Sequence, residues 1–598
     1  MDKKQKQKPL RVISNTAFLF KMAWNISPRF FIGYVFDAIT IAVWNILDAW
    51  YFKRVFDLLD TGAPLSEILW TLLIVAILTT LLMVSNIVYW FSENEKQKLS
   101  IKCGLQLKMF DHAVSLDIGK YEIPEFYSDF IFAVQTADQK VCDVLNVLRN
   151  FIRRVAGGIA VFGILISLDI TVAVFIVVIT IPGMIFSTYT NKKRYEYDME
   201  ERNANRVVGY VNRVHYMADH AKELRISEAG QIMDKLYDEA IAEKHGLIRK
   251  YFSKIAACSA VWYTVGAIKD NGLVLLLAYK LMIEKSILLG GFALGVSSSW
   301  QVSSALKEIV MAFTELTKHS LYIEKLRTFL DTKTKIKSGT LVPTEFRSLE
   351  CKNISFAYEN GVKVLHDVSL KITSGEKIAI VGYNGAGKTT LIKLLMRFYD
   401  VTDGEILLNG INIKEYDINE YRKVISAVFQ DYKIFAATVA ENVASGICAD
   451  NDGVLAALEA ANFTEKLSKL DGGLDTHLTR EFNDKGINLS GGESQKIAIA
   501  RALYKHAPIT VMDEPSSALD PVAEYELNKH IENALNDSTV IFISHRLSTT
   551  RAAARIYMFE QGSIIEVGNH DELVSQNGKY AAMFNLQASK YRQIKNEP

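Results

Sequence analysis

Nine residues, Gly382-Tyr383-Asn384-Gly385-Ala386-Gly387-Lys388-Thr389-Thr390, constrain the fold more than any other stretch, because they satisfy G-x-x-x-x-G-K-[ST] at every position. That pattern works only between a strand and a helix. Upstream, Lys377-Ile378-Ala379-Ile380-Val381 is a β-branched apolar run bounded by Ser374-Gly375-Glu376, and downstream Leu391-Ile392-Lys393-Leu394-Leu395-Met396 favours a helix. In this setting the glycines let backbone amides wrap an anion at a helix N-terminus. Lys388 would reach its β/γ-phosphates and Thr389 would offer a hydroxyl to magnesium.

Other strand ends point at the same place. Ile509-Thr510-Val511-Met512 runs into Asp513-Glu514, where Asp513 suits a magnesium shell and Glu514 can polarise a water against a γ-phosphate. Val424-Ile425-Ser426-Ala427-Val428-Phe429 ends in Gln430, and Val540-Ile541-Phe542-Ile543-Ser544 ends in His545. The C-terminal edges of parallel strands are where α/β sheets bind ligands. Taken alone, His545 reads more readily as a structural histidine; beside the other strand ends it reads as a polar group of the phosphate site. Ser490-Gly491-Gly492 opens a second helix with small residues and free amides, hence a second anion site about a hundred residues from the first. From about residue 349 to 585 strands alternate with helices as in a parallel α/β sheet, and Leu349, Cys351, Ile354 and Phe356 alternate as a strand should.

The first half is of another kind. Mean hydropathy is +0.10 with 49% hydrophobic residues, high for a chain with 23% charged residues, and the average conceals two unlike halves. Six apolar runs, near residues 30–52, 68–91, 155–170, 171–187, 255–283 and 287–313, approach the ~20 residues needed to cross a bilayer. Only Ser167-Leu168-Asp169 parts the third from the fourth, which leaves two spans or one re-entrant unit. The connections 92–150 and 190–254 are long and basic, and the start is basic too, which places them on the cytoplasmic side. Residues 10–27 have the pattern of an interfacial helix, and no cleaved leader is expected.

Polar residues inside the spans are costly, about 2.5–3.5 kcal/mol for each mid-membrane charge. Asp37, Asn45 and Asp48 share one stripe of the first span; Lys269 and Asp270 sit in the fifth and Gln301 in the sixth. They line a substrate cavity or they glue helices together. A formal charge of +1 gives no nucleic-acid surface, and five scattered cysteines give neither a disulfide frame nor a zinc site. The expected organisation is an all-α transmembrane domain over 1–320, a linker over 321–345, and an α/β P-loop domain over 346–598.

With Tyr358 and Ser517-Ala518-Leu519-Asp520 added, this set of motifs behind six spans resembles the ABC exporter family, as a half-transporter with membrane and ATPase domains on one chain. The resemblance implies two copies with ATP between the phosphate loop of one and Ser490-Gly491-Gly492 of the other. It implies that Tyr358 stacks on adenine, Gln430 senses magnesium, Glu514 is the base, and His545 contacts the γ-phosphate. Short coupling helices near residues 123–129 and 216–221 follow from the same likeness. Glu493 stands where the family often has Gln, and Ser494 replaces a common basic residue. No degenerate catalytic position favours a homodimer, with a heterodimer left open. The expected activity is ATP-driven export of a peptide or amphipathic drug from the cytoplasm of a bacterial cell; a lipid flippase, an importer and an ATP-gated regulator are the alternatives.

Overall fold

Segments that must satisfy their own backbone groups in lipid fold as helices, and the first half of the chain is a set of long ones. The structure is a computed structural model that describes residues 9–359, 361–447, 449–515, 521–535, 538–543, 551 and 553–594. It divides into two units, one running to Ser115 and from Glu125 to Thr332, the other comprising Leu116–Pro124 and the chain from Lys333 on.

In the first unit, α1 (Pro9–Ile26), α2 (Pro28–Asp60) and α3 (Leu65–Tyr89) lead through a π-helical turn (Trp90–Asn94) into α4 (Glu95–Ser115). The short α5 (Ile118–Tyr121) belongs to the second unit, and α6 (Pro124–Leu168) and α7 (Ile170–Tyr216) follow. Asp169 decides the boundary that the sequence left open. Its carboxylate accepts from the Thr171 N–H at 2.7 Å and caps α7, so α6 and α7 are separate helices. After α8 (Ala221–Ile226), α9 (Ala229–Met282) and α10 (Leu289–Asp331) complete the unit. Val161, Leu165, Val172, Ile176, Leu273 and Leu277, from α6, α7 and α9, form its buried core.

Among the described residues four helical stretches are long and apolar enough to cross a membrane: Pro28–Asp60, Leu65–Ser115, Lys140–Leu168 and Ile170–Tyr216. The fifth and sixth expected spans lie in α9 and α10, helices of 54 and 43 residues whose Lys269, Asp270, Lys280 and serine tract dilute their apolar character. Moreover, α10 runs on to Asp331, through part of the stretch assigned to a linker, and Leu116–Pro124 leaves the unit in which 1–320 was expected to lie.

The second unit holds two sheets. Its strands are β1 (Ser348–Ala357), β2 (Lys363–Thr373), β3 (Lys377–Gly382), β4 (Asp403–Leu408), β5 (Ile411–Asn412), β6 (Ile425–Val428), β7 (Ile509–Asp513), β8 (Thr539–Ile543), β9 (Arg555–Glu560) and β10 (Ser563–Gly568). Six strands in the order β10-β9-β3-β8-β7-β6 make the main sheet, in which β9, β3, β8, β7 and β6 run parallel and β10 antiparallel. Its central strands β7 and β8 are buried along their whole length, as a sheet covered on both faces requires. The alternating pattern at Leu349–Phe356 belongs instead to a second, antiparallel sheet, β2-β1-β4-β5, which the expectation of one parallel sheet did not include.

Candidate functional site

The loop after β3 turns on glycines whose backbone other residues rarely adopt. Gly387 has φ +99° and immediately precedes the helix Lys388–Leu395; a Cβ there would stand 2.7 Å from Leu365. Gly382 has φ +152°, and a Cβ would collide with the Phe559 carbonyl. The loop thereby closes around a cavity of about 450 Å³ lined by Val364, Asn384, Gly385, Ala386, Gly387, Lys388, Thr389, Thr390, Gln430, Asp513 and Glu514. The end of β7 and Gln430, just beyond β6, meet the loop after β3 here, as two of the three expected strand ends; the third run ends in His545, outside the described residues.

Inside it the charges are buried and mutually coupled. Lys388 Nζ donates to the carbonyls of Gly382 (2.7 Å) and Tyr383 (3.0 Å), and burial lowers its pKa against the pull of Glu514 and Asp513. Burial, then the Glu514 charge, push Asp513 up to about 6, against Lys388 and the Thr389 hydroxyl. A buried carboxylate raised in this way is one that gains from a cation. Among the described residues no cluster of three His, Cys, Asp or Glu side chains forms a metal cage. The Thr389 hydroxyl, Asp513 carboxylate and Gln430 amide that line the cavity are oxygen donors of the kind a magnesium ion takes.

Glu514 has φ +50°, unusual for a residue with a Cβ, and three bonds hold it there. Its N–H donates to the Ile543 carbonyl (3.0 Å), its carbonyl accepts from Gln495 Nε2 (3.2 Å), and its carboxylate accepts from Gln430 Nε2 (3.3 Å). Gln495, 1% exposed, escaped sequence reasoning, although it is the fifth residue of the helix that Ser490 begins. His545 and Ser517-Ala518-Leu519-Asp520 lie outside the described residues.

Tyr358 is placed beside this cavity rather than in its wall. Its hydroxyl is 3.0 Å from Thr390 Oγ1, and its ring packs edge-on to Phe356 and Tyr399. Together with Gly119, Glu122 and Tyr399 it lines a second hollow of about 490 Å³. Glu122, from Leu116–Pro124, accepts from Lys393 Nζ at 2.8 Å. Residues 124–129, where a short coupling helix was expected, are the first turns of α6, and the short helix nearby is α5.

Ser490, Gly491 and Gly492 do not line the phosphate cavity either. Ser490 caps the helix Gly491–Tyr504 in a reciprocal box: its Oγ accepts from the Glu493 N–H (3.3 Å), and Glu493 Oε2 accepts from the Ser490 N–H (2.8 Å). Glu493 Oε1 also pairs with Lys466 Nζ at 2.8 Å. Partial burial raises the Glu493 pKa, but Lys466 and Ser490 outweigh it and hold the carboxyl below its ordinary value.

In the first unit, the candidate cavity residues part company. Asp37, 1% exposed, is bound by Arg149 Nε (2.8 Å) and Asn86 Nδ2 (2.9 Å), and the Arg149 guanidinium lies 3.1 Å from the centre of the Trp90 ring. Lys269 pairs with Asp270 (3.1 Å) and donates to Ser303 (2.9 Å). Asp37 and Lys269 tie helices together, while Asp270 meets its own neighbour on α9. Asn45, Asp48 and Gln301 do share a cavity, of about 340 Å³, with Ile41, Trp44, Arg153, Arg154, Gly158, Ser297 and Trp300. Gln301 Nε2 donates to Asp48 Oδ2 at 3.4 Å, while neither Arg153 nor Arg154 has a carboxylate partner among the described residues. Sequence reasoning missed both arginines because the third apolar run was begun one residue after them.

Comparison with known proteins bears on these sites together. The profile described as ABC transporter matches residues 365–517. An ATP-dependent lipid A-core flippase of Paraburkholderia xenovorans is 31% identical over 504 residues, 81% of each chain. Another protein of that name from Burkholderia orbicola is 39% identical over 300 residues, so the chain spans half the length of that relative. A solved bacterial Atm1-family ABC exporter with ATP bound has the same fold, with a TM-score of 0.78 at 22% identity over 94% of this chain and 98% of that one. The chain belongs to the ABC transporter family, and its fold is that of an ABC exporter, with long apolar helices followed on one chain by an ABC ATPase domain.

Proposed function

We propose that two copies of this chain flip an anionic, phosphate-bearing amphiphile across a bacterial plasma membrane, with the ATPase and the basic connections in the cytoplasm. The observation that carries this reading is the cavity of the first unit. Arg153 and Arg154 against the one carboxylate of Asp48 make it net positive, and Trp44, Trp300 and Ile41 give it apolar walls. Arg154 lies 14 residues from Leu168, about 21 Å along α6, a depth at which an ionisable group costs enough to imply a task. The names of the curated relatives favour a lipid over the peptide or drug expected from the motif wording. A cationic cargo, which acidic Asp37 and Asp48 would favour, lacks support because Asp37 is paired with Arg149.

In this reading ATP binds through the amides of Gly385 to Thr389 and the Lys388 ammonium of one copy and meets Ser490-Gly491-Gly492 of the other. Thr389, Asp513 and Gln430 would hold magnesium, which supplies charge neutralisation at the phosphate oxygens. Glu514, aimed by Gln430 and Gln495, orients the attacking water and takes its proton. Tyr358 turns from Thr390 to the adenine, His545 contacts the γ-phosphate, and Leu116–Pro124 carries nucleotide closure to the helices.

The test uses the full chain in proteoliposomes with ATP. A phosphorylated glycolipid is expected to stimulate ATP turnover and to change leaflet, while its dephosphorylated form does neither. Equal responses to both forms would overturn the charge assignment, and transport of a soluble peptide without either would return the chain to the peptide reading.

A further inference from the structure

The structure assigns to Lys466 a positioning role in nucleotide binding: it offsets the charge of Glu493, so that the start of the helix Gly491–Tyr504 can accept a phosphate despite a carboxylate in its first turn. This rests on the reading that Ser490-Gly491-Gly492 meets ATP across a dimer.

The argument begins with a conflict. A carboxylate three residues after the cap strengthens the helix by closing the capping box and complementing the dipole. The same negative charge lies one turn from the amides that would have to hold a nucleotide phosphate, and there it works against the ligand. An amide at that position would complete the box without repulsion, so a chain that carries Glu needs a compensating cation.

One is present in the right place. Lys466, on the short helix Thr464–Ser468, reaches Glu493 Oε1 at 2.8 Å, and both side chains are only partly exposed, 35% and 27%. The neighbouring lysines are otherwise engaged: Lys469 pairs with Glu465 (2.6 Å) and Lys496 donates to the Asn462 carbonyl (2.8 Å). The other carboxylate oxygen of Glu493 stays on the Ser490 N–H, so the ion pair leaves the cap intact. Tyr432, two residues after Gln430, donates to the Gly491 carbonyl at 2.8 Å and fixes the helix start from its other side. Lys466 thus neutralises the site without occupying it.

The experiment is a double-mutant cycle on the purified full chain, read as the ATP dependence of steady-state turnover. Lys466→Met is expected to raise the half-saturating ATP concentration about fivefold, with turnover at saturating ATP within about twofold of the parent, since one partly exposed charge is being unmasked. In a Glu493→Gln background the same substitution should leave half-saturation unmoved, because no charge remains to offset. Lys466→Arg should behave as the parent does. An equal rise in both backgrounds would mean that Lys466 merely braces its own helix and would overturn the inference. Gly491→Glu, which blocks the helix start, separates the two levels. Intact turnover in that variant defeats the reading that nucleotide is met there. Loss of turnover in it, with Lys466→Met silent in both backgrounds, defeats only the role of Lys466.

Discussion

The phosphate cavity of the second unit and the arginine cavity of the first are both polar hollows, yet they are built from opposite materials. The first is shaped by backbone: glycine torsions, a helix start and the ends of parallel strands set its walls before any side chain is chosen. The second is shaped by side chains from α2, α6 and α10 that are far apart in sequence, and nothing in any one helix requires it. A backbone-made site tolerates little and should do one chemistry; a side-chain-made site can be retuned residue by residue. If that contrast is right, single substitutions in the first should abolish function and those in the second should redirect it.

The largest effect is expected at Glu514. Glu514→Gln keeps the shape, the bond to Gln430 and the buried support from Gln495, and removes only the base. ATP turnover should fall by about 10²–10⁴-fold, while nucleotide binding, followed by a fluorescent ATP analogue, persists. Near-parental turnover would remove Glu514 from that role and weaken the claim that the strand ends do the chemistry.

Next comes Asp37, which tests whether the glue and the cavity are separate. Asp37→Ala leaves Arg149 with only the face of Trp90, and removing one member of a buried ion pair costs about 3–5 kcal/mol. Thermal unfolding in detergent should show a clear drop in stability, with the ranking of stimulating lipids unchanged in whatever folds. A changed ranking at parental stability would place Asp37 in the cavity after all.

The same contrast explains what the sequence could disclose. The phosphate loop, Asp513, Glu514 and Gln430 stand in contiguous runs whose spacing follows from strand and helix geometry, so they were legible one motif at a time. What joins them to their supports was not: Gln495 and Lys466 act through tertiary contacts that no local pattern encodes. In the first unit the helices were legible from hydropathy, and the Asp169 cap shows why a three-residue gap sufficed to end one span and begin another. Asp37, Asn45 and Asp48 fall on one helical stripe by their spacing, but a stripe can meet two neighbours. Asp37 meets α6 at Arg149, whereas Asp48 meets α10 at Gln301. Only packing distinguishes glue from cavity.

A smaller effect is expected from the arginines themselves. Arg153→Gln with Arg154→Gln removes both positive charges of the cavity and leaves its tryptophans in place. Stimulation of turnover by a phosphorylated lipid should weaken about tenfold in half-effective concentration, the worth of one or two charged hydrogen bonds in a partly wet site. Basal turnover should stay near the parental rate. Loss of basal turnover together with stimulation would show the two cavities to be less separable than their construction suggests.

The smallest effect is expected at Asp270, and it is informative for being small. Its side chain is 68% exposed, and its one ion pair among the described residues is with the adjacent Lys269, which keeps Ser303 as a second partner when Asp270 is changed. Asp270→Asn should therefore leave stability close to the parental value, because Lys269 keeps its bond to Ser303. It should also leave lipid stimulation as it was, because Asp270 does not line the arginine cavity. The measurement is the same pair of assays used for Asp37 and for the arginines. A pronounced change in lipid response at unchanged stability would mean that substrate touches α9 as well. The path would then run beyond the hollow defined by α2, α6 and α10, and charge at the surface of one helix would matter as much as charge enclosed by three.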